Sequence, residues 1–183
     1  MRVYFVRHGA TESNKLKRIM SRSNDESLNE EGLLQVKDVV NSLANDLDYD
    51  IVFASPLKRA SETAYEFAKY KNLNVTHHED MLEREFGELS NKTWDEVHVM
   101  TNGGLNHELW EKVLEYDLSP HGGETKESVR TRVMNFINHL KNNHSDRKPL
   151  VVTHGGVLRT LYALFPNHTP KSFGNVSIHE FEV

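Results

Sequence analysis

The sequence predicts an α/β fold: a three-layer α/β/α sandwich around a mostly parallel central sheet, with a small helical insertion. Two observations carry this prediction. Short apolar runs rich in β-branched residues alternate with longer segments whose apolar residues recur at helical spacing. Two of these runs, residues 3–6 and 150–153, lead directly into a His-Gly turn. Such alternation is typical of a sheet covered by helices on both faces.

The first half of the chain gives two strands and two helices in order. Residues 2–6 form a buried strand, and residues 29–47 form a helix whose first turn is acidic. Residues 50–55 form a second strand. Pro56, at the first position of the next segment, starts a helix that extends to about Tyr70.

The second half is interrupted by a charged stretch. Residues 73–76 predict a short strand, and residues 84–120 an insertion with two short helices separated by Gly103-Gly104. Beyond it we expect a helix ending near Asn143, a strand over 150–153, a helix over 157–165 and a final strand over 176–183. The chain, residues 1–183, is therefore interpreted as one domain with an insertion over the active site.

Composition excludes several classes of protein. The 183 residues are 37% hydrophobic and 27% charged, which is ordinary globular usage, and the absence of cysteine excludes thiol nucleophiles and disulfides. The apolar run near the N-terminus is shorter than the roughly 7–15 residues of a signal-peptide core, so a cytoplasmic, non-membrane protein is expected. A net charge of −5 disfavours nucleic acid as a partner. The sequence leaves the oligomeric state open.

Four charged or titratable side chains fall where parallel strands end. Arg7 and His8 follow the first strand, Arg59 lies just after the second, and His154 follows the strand over 150–153. Ligands bind at this edge of α/β sheets, and the helix that begins near Gly155 presents free N–H groups there. The arrangement predicts a pocket for an anion such as phosphate.

An imidazole in such a pocket can attack phosphorus, while arginines stabilise the charge on the transferring group. Each residue alone also has a structural interpretation, since a histidine at a strand end is commonly a hydrogen-bonded structural residue. His107 begins a segment similar to a zinc-protease helix but lacks the second histidine at i+4. No nucleotide loop or metal-ligand spacing is present, so we expect neither a cofactor nor a metal.

Six ordered motifs resemble those of the histidine phosphatase superfamily, in its phosphoglycerate-mutase-like branch with an Arg-His-Gly motif. They span nearly the whole chain: residues 5–14 (FVRHGATESN), 27–35 (SLNEEGLLQ), 54–64 (ASPLKRASETA), 82–88 (LEREFGE), 122–125 (GGET) and 151–157 (VVTHGGV).

The resemblance implies a role for each matching residue. His8 is the expected nucleophile, and Arg7, Arg59 and His154 hold the phosphoryl oxygens. Glu83 is the expected general acid and then the base for water. Asn14, Ser21 and Gly155 complete the set as expected substrate-binding residues. The implied activity is a metal-independent phosphomonoesterase that forms a phosphohistidine on a small phosphorylated metabolite.

Two positions depart from the family pattern. Met20-Ser21 stands where most members carry a Gln-Gly-like pair, and Leu89-Ser90-Asn91 replaces a Trp-Glu-Gly stretch after the general acid. Two alternatives therefore stay open: a phosphoglycerate-type mutase, and a phosphate-binding module without turnover. The basic residues after the nucleophile motif are further candidates for attracting substrates with more than one anionic group. They are Lys15, Lys17, Arg18 and Arg22.

Overall fold

The central element is a five-stranded sheet with a single antiparallel edge strand. The computed structural model describes residues 1–110 and 112–183 in full and residue 111 by its backbone alone. The strands are β1 (Arg2–Arg7), β2 (Ile51–Ala54), β3 (Val75–His77), β4 (Pro149–Thr153) and β5 (Ile178–Glu182). Their order is β3-β2-β4-β1-β5, and β5 alone runs antiparallel to its neighbour. The predicted mostly parallel sheet is confirmed.

Helices cover both faces of this sheet, as the alternation of strands and helices predicted. They are α1 (Glu12–Lys15), α2 (Glu30–Leu43), α3 (Lys58–Tyr70), α4 (Trp94–Met100), α5 (His107–Lys112), α6 (Lys126–Asn143) and α7 (Gly155–Leu164). One apolar core packs α2 and α3 against Tyr4 and Val6 of β1, and the other packs α6 and α7 against Phe5. Alternate residues of β1 thus face opposite cores, as the period of a strand requires.

Two predicted boundaries shift for identifiable reasons. Helix α3 begins at Lys58 because Leu57, in an extended conformation, is its N-cap, so Pro56 lies outside the helix. Strand β5 begins at Ile178 because Val176 adopts a left-handed backbone with φ +57°, which no strand accommodates.

The segment after β3 carries short helices around a small core of its own. Helices α4 and α5 pack through Val97 and Trp110 against Phe86 and Leu105. Backbone hydrogen bonds at 2.8 Å link Ile19, in the loop after α1, to the stretch before α4. This segment therefore lies beside the loop that follows the nucleophile motif.

Strand register brings the candidate residues to one edge of the sheet. Arg7 pairs with Thr153, and the His8 N–H donates to the Thr153 carbonyl at 3.0 Å. Ser55, at the end of β2, donates its N–H to the Val152 carbonyl at 2.9 Å. The carboxyl ends of three neighbouring strands consequently meet at the same place.

Candidate active site

A cavity of about 240 Å³ opens at this edge of the sheet. We call its polar inner part the cavity floor and the part between the loop after α1 and helices α4 and α5 the outer wall. The floor comprises Arg7, His8, Asn14, Glu83, Gly155, Gly156 and Asn175, and the outer wall comprises Lys17, Arg18, Ile19, Met20, Phe86, Trp94, His107 and Trp110.

His8 is held in the tautomer that a nucleophile needs. Its Nδ1 lies 2.8 Å from the Gly9 carbonyl, which only accepts, so the proton of the neutral ring is on Nδ1. The Nε2 lone pair is thus left free. Burial lowers the pKa of His8 well below its usual value, and the charges of Arg59 and Arg7 lower it further. The imidazole is therefore neutral at neutral pH.

The two arginines whose charges act on His8 come from different elements. Arg7 lines the cavity and donates from Nη1 to the Phe173 carbonyl. Arg59, in the first turn of α3, is fully buried behind the floor and donates at 3.3 Å to the carbonyls of Ser21 and Asn24. Its Nη1 also lies 3.9 Å from an Asp25 carboxylate oxygen. Neutral carbonyls fix the Arg59 guanidinium while leaving most of its charge for the site.

His154 packs against the nucleophile. Its ring centroid is 5.2 Å from that of His8, and its Nε2 lies 2.8 Å from the Ser55 hydroxyl. Burial and the charge of Arg59 hold the pKa of His154 well below its usual range. Like Arg59, His154 lies just behind the cavity surface, with its Nδ1 buried and without a hydrogen-bond partner among the described residues.

Asn14 belongs to the N-terminal cap of α1. Its Oδ1 accepts the Thr11 N–H at 3.2 Å and the Asn175 Nδ2 at 3.1 Å. These contacts occupy the amide oxygen, and Asn14 lines the cavity, so its NH₂ group is the part available to a ligand.

Glu83 is a nearly buried carboxylate in the floor, 7% exposed. One oxygen accepts the Arg84 N–H at 2.8 Å and the other accepts the Gly156 N–H at 3.2 Å. A Cβ at position 156 would stand 2.4 Å from Glu83 Oε1, so the close approach requires glycine. Helix α7 thereby fixes the general-acid candidate, while Gly155, its first residue, lies beside the Arg7 guanidinium.

Ser21 lies in a group of serine hydroxyls, and its expected contact with substrate stays a prediction. Its side chain is fully buried, does not line the cavity, and is 2.6 Å from the Ser23 hydroxyl and 2.9 Å from the Ser90 hydroxyl. Its carbonyl accepts from Arg59. Ser21 thus supports Arg59, and the two departures from the family pattern contact each other through Ser21 and Ser90.

Sequence reasoning missed several cavity residues, among them Asn175, Phe173 and Arg159. The guanidinium of Arg159 lies 4.2 Å from the Phe173 ring centroid and 5.1 Å from that of Trp110. Asn175 and Phe173 precede β5, and the placement of β5 beside β1 brings them to the cavity. Arg159 had a detectable signal, a charged residue within an apolar helix.

The basic residues after the nucleophile motif divide into two groups. Lys17 and Arg18 line the cavity, whereas Arg22 is paired with Glu124 at 2.7 Å. Arg18 donates to the Asn91 carbonyl at 2.8 Å. Lys15 is exposed and lies outside the cavity lining. Of the four basic residues, Lys17 and Arg18 alone line the cavity, and a role in attracting anionic substrates stays a prediction.

Among the residues that the structure describes, no helix combines the length and apolarity that a membrane span requires. No group of three or more histidine, aspartate or glutamate side chains in the same residues is arranged to hold a metal ion.

Comparison with known proteins agrees with the motifs. Residues 3–183 match the family model of the histidine phosphatase superfamily (branch 1). Phosphoserine phosphatase 1 of Hydrogenobacter thermophilus is 30% identical over 171 residues, covering 88% of this chain and 74% of that protein. A 2,3-bisphosphoglycerate-dependent phosphoglycerate mutase of Mesorhizobium japonicum is 32% identical over 162 residues, covering 85% and 77%. The solved structure of Bacillus stearothermophilus YhfR superposes with a TM-score of 0.83 at 26% identity, covering 100% of this chain and 91% of that one. The chain therefore belongs to branch 1 of the histidine phosphatase superfamily and is a histidine phosphatase.

Proposed function

We propose that this protein is a metal-independent phosphomonoesterase that acts on a small phosphorylated metabolite through a phosphohistidine at His8. The observation that carries the proposal is the state of His8: neutral, protonated on Nδ1 and bordering a cavity between arginines. An unprotonated imidazole is the form that can donate an electron pair to phosphorus.

In the first step the His8 Nε2 attacks the phosphorus atom, and the bond to the leaving oxygen breaks. Arg7, Arg59 and the Asn14 amide stabilise the charge on the equatorial oxygens, together with the N-terminus of α7 at Gly155. The buried His154, whose ring centroid lies 5.2 Å from that of His8, packs against the nucleophile and helps to hold the phosphoryl group. Glu83, in its protonated form, delivers the proton that the leaving oxygen needs.

In the second step water attacks the phosphohistidine, and the P–N bond breaks to release inorganic phosphate. Glu83, now a carboxylate, accepts the proton of the attacking water and so regains its starting form. His8 returns to its neutral Nδ1–H tautomer, held by Gly9. The cycle is closed without a redox step or a second substrate.

A mutase is the second candidate, because several relatives are named phosphoglycerate mutases or mutase-like proteins. The two activities differ only in the acceptor, which is water for a phosphatase and a second hydroxyl group for a mutase. The solvent-facing Lys17 and Arg18 favour a substrate with an additional anionic group in both cases.

The test is hydrolysis of p-nitrophenyl phosphate in EDTA, with wild type beside His8→Ala and an acid-labile phosphoenzyme trap in parallel. We expect turnover and a trapped phosphohistidine in the wild type, and neither in the variant. Circular dichroism of both proteins checks their folding. Activity that EDTA abolishes and a divalent ion restores would refute the metal-independent mechanism.

Labelled phosphomonoesters distinguish the two candidates. A phosphatase releases the label as inorganic phosphate, whereas a mutase returns it to an organic hydroxyl acceptor. A folded wild type that binds phosphate but forms no phosphoenzyme with any monoester would support the non-catalytic alternative and overturn the proposal.

A further inference from the structure

The turn before β5, residues 173–176, contacts the nucleophile through its backbone and one side chain. Asn175 Nδ2 donates to the His8 carbonyl at 3.0 Å and to Asn14 Oδ1 at 3.1 Å. The Val176 N–H donates to the same His8 carbonyl at 3.3 Å. None of the six family motifs includes residues 173–176.

These contacts fix the orientation of two amide groups in succession. A carbonyl oxygen only accepts, so Asn175 must present its nitrogen to His8. The same nitrogen faces Asn14, which must therefore present its oxygen, and the Thr11 N–H donates to that oxygen as well. The Asn14 NH₂ group is consequently turned away from both partners, and Asn14 borders the cavity.

The backbone of the turn is held in an unfavourable conformation. Val176 is β-branched yet has φ +57°, which is uncommon for any residue except glycine and a true outlier for valine. Its side chain is buried among β1 and α2 residues, and the Arg7 N–H donates to the Ser177 carbonyl at 3.0 Å. Strain of this kind persists only where the surroundings hold it, and it concentrates at functional sites.

We propose that Asn175 is a positioning residue for phosphoryl transfer, which orients the Asn14 amide so that its NH₂ group faces the phosphoryl group. It acts through Asn14 and the His8 backbone and takes no part in bond making. The inference rests on the proposed function, because it assumes that the cavity floor receives the phosphoryl group.

The test is a double-mutant cycle read by binding of inorganic phosphate, which needs no turnover. The proteins are wild type, Asn14→Ala, Asn175→Ala and the double variant, with the exposed Asn167→Ala as a matched control. We expect each single variant of the pair to bind phosphate about tenfold more weakly, as loss of a hydrogen bond to a charged group predicts. The double variant is expected to bind no more weakly than Asn14→Ala.

A merely structural role gives a different result. Independent effects that multiply in the double variant, or wild-type phosphate binding by Asn175→Ala, would overturn the proposal. If the cycle shows the coupling while the wild type forms no phosphoenzyme, the proposed function fails and the positioning role stands.

A second variant covers the case in which Asn175→Ala does not fold. Asn14→Asp keeps an oxygen facing Asn175 but replaces the NH₂ donor with a second carboxylate oxygen. We expect it to lose phosphate binding while its melting temperature stays near that of the wild type. Phosphate binding retained by a folded Asn14→Asp would contradict the orientation argued above.

Discussion

The cavity floor and the outer wall are built from different kinds of structure. The floor lies at the ends of β1 and β4 and at the N-terminus of α7, where hydrogen bonds to the backbone hold His8 and Glu83. The outer wall consists mainly of side chains from a loop and two short helices, and it combines the exposed cation Lys17 with the paired rings of Trp94 and Trp110. Rigid elements hold catalytic groups more accurately than loops do. We therefore propose that the floor carries the chemistry and that the outer wall selects the leaving group.

Glu83 belongs to the floor, and its loss is expected to have the largest effect. Replacing Glu83 by Gln removes leaving-group protonation, so substrates with poor leaving groups should slow by about 10²–10⁴-fold. Activated aryl phosphates should lose much less in phosphoenzyme formation. Burst and steady-state rates with glycerol phosphate and p-nitrophenyl phosphate measure the difference. Equal losses on both would mean that Glu83 does not act on the leaving oxygen.

Three buried histidines make stability depend on pH. Burial lowers the pKa of His8 and His154 well below the usual value, and it lowers the pKa of His179 to about 4. The folded state thus binds fewer protons than the unfolded state, in which histidine titrates near about 6.5. The free energy of unfolding is therefore highest above that pH and falls as the pH decreases toward the native values.

Between the native and unfolded pKa values, each buried histidine is expected to change the free energy of unfolding by up to about 1.4 kcal/mol per pH unit. Urea denaturation at pH 7.5, 6.5 and 5.5 measures it. His179→Phe should reduce the slope whatever it does to the absolute stability. A free energy of unfolding that is unchanged between pH 7.5 and 5.5 would show that the folded protein binds protons at these three histidines as readily as the unfolded chain does.

Gly156→Ala tests how strongly activity depends on the position of the Glu83 carboxylate. The added Cβ would stand 2.4 Å from Glu83 Oε1, so the carboxylate must move. We expect a loss of about 10-fold to 100-fold on poor leaving groups, since misplacement by about 1 Å has effects of this size. In the Glu83→Gln background, Gly156→Ala should lower the rate with these substrates only slightly. If it lowers that rate by the full 10-fold to 100-fold there as well, the substitution acts through a part of the site other than Glu83.

The smallest effect is expected in the outer wall. Lys17→Ala should raise KM severalfold for phosphomonoesters with a second anionic group and leave p-nitrophenyl phosphate nearly unchanged. Added salt should reduce the difference by screening the charge. Lys15→Ala, which removes an exposed cation outside the cavity, is the matched control. An equal change in KM from both substitutions would assign the effect to net charge alone.

Sequence reasoning was most successful where function depends on neighbouring residues. Arg7, His8 and Asn14 lie within one motif, and Arg59, Glu83 and Gly155 come from motifs that follow strands, so the sheet edge where they meet was predictable. The burial of Ser21 was not predictable, because the sequence does not reveal which residues of a loop become buried.

The remaining contacts depend on tertiary packing. Asn175 reaches His8 only because β5 pairs with β1, and the sequence does not specify which strand β5 joins. Arg159 of α7 and Trp110 of α5 meet in the folded chain, although no sequence pattern relates the two segments.

The position of β1 between β4 and β5 also determines when the site can form during folding. His8 and Asn175, whose amide contacts the His8 carbonyl, are 167 positions apart along the chain, and Thr153 of β4 is likewise distant in sequence from β1. A partly folded chain in which these segments have not met carries the apolar β1 strand without either partner, and such unpaired strands favour aggregation. Pairing across such sequence separation is also slow. Phosphate binding should consequently appear only at the folding step in which β4 and β5 enclose β1.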